Sequence, residues 1–179
     1  MSFTIRVARL DDAEELQRLI AASVRELGRG DYTSKQIEAA LGSAWGVDTQ
    51  LVRDETYFVV VENGAIVACG GWSKRKAHFG ADSRTRAEPE QLDPVHDAAR
   101  IRAFFVHPVW ARLGICTLLL QKCESEARAA GFHSAELVAT LPGQRLYRRF
   151  GYQSMGVREY PLRDGLTITF VPMRKEQLD

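Results

Sequence analysis

Phe3-Thr4-Ile5-Arg6-Val7 alternates apolar and polar side chains with period two, which reads as a first strand. After Leu10 the spacing changes. Leu16, Leu19, Ile20, Val24 and Leu27 recur at helical intervals and form one buried stripe. Asp11 with Glu14, or Asp12 with Glu15, has a capping-box-like spacing and places acids in the first turn, where the helix dipole favours them. Gly28 to Gly30 stops this helix, and Thr33 or Ser34 opens a shorter one with Ile37, Ala40 and Leu41 inside.

Tyr57 to Glu62 and Ala65 to Trp72 are β-rich runs joined by Asn63-Gly64, the pair that a type I′ hairpin turn demands. Ile101 to Val106 is a further strand, cut by His107-Pro108. Leu113 to Ala130 then turns helical through Ile115, Leu118, Leu119, Cys123 and Ala127, and Gly131 closes it. Ala135 to Ala139 is a short strand. Pro142 can open a helix with Leu146, Tyr147 and Phe150 on its apolar side, ended by Gly151. Tyr152 to Leu162 and Leu166 to Met173 pair around Arg163-Asp164-Gly165. The predicted order is β-α-α-β-β-β-α-β-α-β-β, an α/β (α+β) arrangement with a mixed sheet and helices on its faces. Lys74 to Ala99, with Pro89 and Pro94, lacks periodicity and is too long for an idle loop, so it is functional or mobile.

A length of 179 residues fits one domain spanning 1–179, and 45% apolar with 26% charged residues fits a chain that buries a core. The formal net charge of +1 leaves no broad footprint for nucleic acid or an anionic membrane. The longest uncharged run, Asn63 to Ser73, is too short to span a bilayer. Met1 to Leu10 carries Arg6 and Arg9 without an apolar core, so no secretory leader is expected there. Cys69, Cys116 and Cys123 are odd in number and sit in apolar runs, as reduced thiols of a cytoplasmic protein do. His and Cys are scattered without ligand spacing, and no metal is expected.

Phe104 to Leu119 carries the most chemical information. A strand runs through His107-Pro108 into Gly114 and a helix start, which aims free backbone N–H groups and the positive end of a helix dipole at one spot. A pyrophosphate suits that spot, although a plain strand-to-helix turn explains the same glycine. The segment resembles motif A of the GNAT superfamily of acetyl-CoA-dependent N-acyltransferases, V-x-P-x-x-R-x-x-G-x-G-x-x-L-L. Val106, Pro108, Gly114, Leu118 and Leu119 match, while Ala111 stands at the Arg position with Arg112 one place on, and Cys116 replaces the last Gly. Downstream, Leu146-Tyr147-Arg148-Arg149-Phe150-Gly151-Tyr152 resembles the family's L-Y-x-x-x-G-[FY] motif.

The resemblance implies a GNAT fold with a mostly antiparallel sheet of about seven strands. It implies acetyl-CoA as co-substrate and transfer to a primary amine in a ternary complex. Phe104, Phe105 and Val106 would pair with the pantetheine arm. Arg112, Leu113, Gly114, Ile115, Cys116 and Thr117 would wrap the pyrophosphate, and Thr140 stands where many members contact the pantetheine. Tyr147 matches the tyrosine that protonates the departing thiolate, a task suited to a phenol that keeps its proton at neutral pH. The backbone N–H of Val106 is the chosen oxyanion donor. The general base stays open. Family spacing puts Ala135 at the position some members fill with Glu, so Glu136 qualifies only across a bulge. His107, His78, His96, Glu62 or a water chain are alternatives. Arg145, Arg148 and Arg149 reach the coenzyme's 3′-phosphate or form a solvated helix face. Trp45, Trp72 and Trp110 form a loose aromatic set, with Trp72 near the family's acceptor region. A small-molecule amine is the first acceptor expected and a protein amine the second. A non-catalytic acyl-CoA sensor and an unrelated nucleotide-binding domain are the rivals, and the resemblance allows a homodimer.

Overall fold

The computed structural model describes residues 3–77 and 90–178. His78, Glu88 and Pro89 lie outside the described residues. The chain forms β1 (Thr4–Val7), α1 (Ala13–Leu27), α2 (Ser34–Ala40), α3 (Thr49–Arg53), β2 (Tyr57–Glu62), β3 (Ala65–Ser73), β4 (Ala99–Val106), α4 (Ile115–Ala129), β5 (Ala135–Thr140), α5 (Gln144–Arg149), β6 (Gln153–Ser154), β7 (Arg158–Pro161) and β8 (Thr167–Lys175). The sheet runs β1-β2-β3-β4-β5-β8-β6, and β7 pairs with β8 beside β6. Every pairing is antiparallel except β4 with β5.

The expected architecture holds with two additions. Helix α3 was not anticipated, because its five residues are held by Asp48, whose carboxylate accepts from the Leu51 amide at 3.2 Å, and not by an apolar period. The expected strand Tyr152 to Leu162 is split into β6 and β7 around Gly156, which has φ +100°. The sheet therefore has eight strands.

Local signals act where the side chains allow. Asn63 and Gly64 take φ of 49° and 80°, the positive values a type I′ turn requires. Thr33 and Gln36 form a reciprocal capping box at α2. The first helix starts differently from expectation. Leu10–Asp12 is a 3-10 turn, and Asp12 is engaged by Arg6 at 2.7 and 2.8 Å and by the Arg9 amide. Glu15 accepts from the Ile66 amide at 2.7 Å instead, tying α1 to the central hairpin.

Two apolar layers cover the sheet. Ile115, Leu119, Cys123 and Ala127 of α4 pack with Val60, Ile101, Ala135 and Leu137 on one face. Leu16, Leu19, Ile20 and Val24 of α1, with Ile37 and Leu51, pack with Tyr57, Val59 and Cys69 on the other. Gly70 permits a close approach in the centre. A Cβ there would lie 2.8 Å from the ring of Phe104. Gly70→Ala therefore forces that ring aside, and chemical denaturation is expected to show a loss of about 1–3 kcal/mol.

Candidate active site

Strands β4 and β5 pair only through Ala99↔Ala135 and Arg100↔Glu136, at the base of both strands. Beyond that point they part. The bend begins at a bulge on β4, where the register against β3 slips by one residue between Cys69 and Gly71. Ala103 is the extra residue and takes φ +60°. Bulges kink a strand and raise its twist, so β4 leaves β5 there. The buried Tyr57 hydroxyl sits under the bulge, 3.2 Å from Cys69 Sγ and 3.4 Å from the Ala103 carbonyl. Burial pushes its pKa well up, so it remains a donor.

The bulge also sorts side chains between the two faces. Phe104 and Val106 pack on the α4 side, whereas Ala103 and Phe105 pack on the α1 side. The His107 amide donates to the Val67 carbonyl at 2.8 Å. Antiparallel alternation then makes Val106↔Ala68 a non-hydrogen-bonded pair, so the Val106 N–H and C=O turn away from β3 into the gap.

A cleft of about 800 Å³ occupies the gap and is lined from both faces of the sheet. On the α4 side it is lined by Phe104, Val106, Arg112, Gly114, Ile115, Cys116, Thr117, Thr140 and Tyr147, and Phe105 lines its other side. Of the expected cofactor residues, Leu113 alone does not line it, because its side chain turns outward and is 47% exposed. Arg112 and Gly114 take φ of 66° and 80°. Left-handed residues in this position gather successive N–H groups into an anion-binding concavity. The first-turn amides of the 15-residue helix α4 lack intrahelical acceptors and point the same way. No atom lies within 4 Å of where a Gly114 Cβ would stand, so the space in front of these amides is open.

Tyr147 projects from α5 into the cleft wall and meets the Phe104 ring edge-on at 6.3 Å. Burial, with Cys116 and Cys123 nearby, raises its pKa far above that of free tyrosine. Thr140 Oγ1 accepts from the Gly143 amide at 3.2 Å and keeps its proton for another partner. Arg145 and Arg149 line the cleft edge, while Arg148 is bonded to Gln144.

The candidate bases fall away from the cleft. Glu136 is ion-paired with Arg100 and Arg174, and β5 runs against β8 without a bulge to turn Glu136 inward. His107, His96 and Glu62 do not line the cleft, and neither does Trp72, which packs edge-on against Phe132 in the core. Trp45 and Trp110 do line it.

The family resemblance puts the acceptor side of the cleft at the two N-terminal helices and the 74–99 segment, but the sequence does not single out as site residues Val24, Tyr32, Phe170 and Arg102, which form the α1 side together with Trp45 and Phe105. Arg102 is buried within the run 101–106 of β4, whose other side chains are apolar, 3.0 Å from Asp48. An arginine inside such a run was the available signal. The Tyr32 hydroxyl donates to the Thr169 carbonyl at 2.8 Å and accepts from the Leu141 amide at 2.9 Å, and burial pushes its pKa up to about 12.

The profile of the acetyltransferase (GNAT) family matches residues 21–152, a span that holds the parted strands, the amide cradle and Tyr147. The chain belongs to the GNAT acetyltransferase family. Solved structures agree in fold. A GCN5-related N-acetyltransferase from Rhodopseudomonas palustris superposes with a TM-score of 0.73 at 18% identity, covering 98% of this chain and 96% of its own. The PaiA N-acetyltransferase from Thermoplasma acidophilum, in complex with coenzyme A, gives 0.68 at 14% identity, with 98% and 99% covered. YncA, a putative acetyltransferase from Salmonella typhimurium with acetyl-CoA, gives 0.65 at 17% identity, with 100% and 95% covered. No functionally curated protein matches this sequence significantly. Among the described residues, no cluster of His, Cys, Asp and Glu could hold a metal ion, and no helix is long and apolar enough to cross a membrane.

In this GNAT acetyltransferase, Cys116 replaces the last glycine of the cradle motif. Its thiol is pushed up to about 11 by burial. A raised pKa means less thiolate at neutral pH, so alkylation by iodoacetamide at pH 8 is expected to run about a hundredfold slower than at an ordinary exposed cysteine. Peptide mass spectrometry over time checks this, and rapid labelling of Cys116 would contradict it.

Proposed function

We propose that this protein transfers the acetyl group of acetyl-CoA to a primary amine on a small molecule. The observation that carries the reading is the cleft between β4 and β5. It has an amide-rich anion cradle on one face and a mostly apolar lining on the other, meeting where β4 leaves β5. Acetyl-CoA bound in the first half supplies the acetyl group as an activated thioester. The amides of Arg112 to Thr117 suit its pyrophosphate, and the open front of Gly114 allows close approach. The edge of β4 from Phe104 to Val106 suits the pantetheine amides, with the Thr140 hydroxyl on the facing strand. Three unpaired cysteines fit a reducing compartment such as the cytoplasm.

The chemistry then falls to few groups. The amine nitrogen bonds the acetyl carbon as the carbon–sulfur bond breaks. The Val106 N–H faces the gap and can stabilise negative charge on the carbonyl oxygen. Tyr147, kept protonated by burial, donates a hydrogen bond to the departing sulfur, which leaves as the thiolate. Among the described residues, no Asp, Glu or His lines the cleft, so the amine's surplus proton leaves to water. Peptide amines are less suited to an acceptor pocket walled by rings.

Two outcomes test this reading. Tyr147→Phe should retain acetyl-CoA binding by calorimetry while kcat falls by about 10²–10⁴-fold. With the amine proton leaving to water, kcat/KM should rise with pH at unit slope and bend at the acceptor's own pKa. Exchanging one amine for a less basic one should shift the bend by the difference in their pKa values. A bend fixed near pH 6–7 for every amine would mean that a side chain takes the proton.

A further inference from the structure

The bulge that opens the cleft is held by groups from outside β4. Ala103 sits there at φ +60°, a left-handed conformation that favours glycine and persists in alanine only when the surroundings impose it. The Tyr57 hydroxyl lies 3.4 Å from the Ala103 carbonyl and 3.2 Å from Cys69 Sγ, and the Cys69 thiol reaches the same carbonyl at 3.8 Å. Both side chains are fully buried and come to the bulge from β2 and β3. Burial pushes the Cys69 thiol up to about 12 and the Tyr57 phenol well up, so both keep their protons and remain donors at neutral pH.

The carbonyl they reach governs the edge of the gap. The Ala103 carbonyl and the Phe104 N–H belong to one planar trans peptide and point in opposite directions. With the carbonyl drawn toward Tyr57 and Cys69, the Phe104 N–H is turned away from β3, to the side where β4 and β5 part. Beyond the bulge Phe105 pairs with Cys69 and Val106 with Ala68, the register that leaves the Val106 N–H facing the gap. A slip of one residue would exchange the groups that face β3 for those that face the gap.

Resting on the acetyl-transfer reading above, we propose that Tyr57, supported by Cys69, is a positioning residue for the reaction. Its hydroxyl holds the Ala103–Phe104 peptide, and through it the register of β4, so that the gap-facing amides of this strand meet the thioester carbonyl. Neither Tyr57 nor Cys69 lines the cleft, so both act through the backbone and not on the coenzyme or the amine. The anion cradle from Arg112 to Thr117 lies beyond Val106 and has its own turn, so it holds the coenzyme's pyrophosphate without them.

The test is infrared difference spectroscopy on the full-length protein with acetyl-CoA isotope-labelled at the thioester carbonyl carbon, which needs no acceptor. Amides aimed at the carbonyl oxygen polarise it and lower its stretching frequency below that of free acetyl-CoA. Wild type should show this downshift. Tyr57→Phe removes only the hydroxyl and should lose most of the downshift, while its affinity for coenzyme A, which has no acetyl group, stays within about threefold of wild type by calorimetry. Should Tyr57→Phe fail to fold, Cys69→Ala takes its place, because the thiol seats the Tyr57 hydroxyl and reaches the carbonyl itself. It should lose part of the downshift. An undiminished downshift in the variant that folds would overturn the proposal, since lost packing alone lowers stability without moving the carbonyl. So would a wild-type carbonyl at the frequency of free acetyl-CoA. Failure of the wild type to bind acetyl-CoA at all, seen by calorimetry beforehand, overturns the acetyl-transfer reading itself.

Discussion

The cleft depends on two central strands that stop pairing in the middle of a sheet. Strands β4 and β5 share hydrogen bonds at two residue pairs and then run on, to Val106 and Thr140, without each other. Backbone donors and acceptors left unpaired inside a protein are costly, so such a gap persists only when the surroundings hold it open. Here the flanking ladders do so. Strand β4 stays bonded to β3 through the bulge, and β5 stays bonded to β8 along its whole length. The groups facing the gap are thereby kept free for a ligand.

Packing transmits that constraint to the chemistry. The missing side chain at Gly70 lets the Phe104 ring lie close against β3, and the same ring meets Tyr147 edge-on. Tyr147 also packs edge-on against Tyr152 at 5.9 Å, so its place is fixed by aromatic contacts and not by a hydrogen bond from another side chain. A phenol held this way is dry, which keeps it protonated and makes it a donor. On the opposite face Tyr57 stands under the bulge with the same property, in a structural position.

Charge is arranged to keep the cleft free of carboxylates. Three acids with little exposed side chain are taken up elsewhere: Asp48 by Arg102, Asp54 by Arg75 at 2.7 Å, and Glu124 by Lys175 at 3.0 Å. The guanidinium beside Asp54 holds its carboxyl below the usual range, so it stays ionised well into acid. What faces the ligand is backbone amide, aromatic ring and arginine. That set favours an anionic coenzyme on one side and an apolar amine on the other.

Much of this was legible in the chain. Period-two and helical spacings located the main strands and helices. Asn63-Gly64 placed a hairpin through its backbone demand, and the two motifs around Gly114 and Tyr147 pointed to the family and the coenzyme half of the cleft. These are local properties, carried by neighbours within a few residues. The bulge at Ala103 was not legible, because Ala has no preference for a left-handed conformation and takes it only under the hold of β3. Glu136 was already out of register in the chain unless a bulge intervened; that β5 has none against β8, and that Arg100 and Arg174 reach Glu136 from separate strands, only the fold decided. The ring wall joins Tyr32 and Trp45, on either side of α2, to the remote Phe170 of β8, and the closing of β8 against β5 brings that ring to them. The sequence by itself determined the elements, the turn chemistry and the cradle for an anion. Tertiary structure decided where two strands part and which side chains face the opening, because both depend on contacts between residues that are remote along the chain.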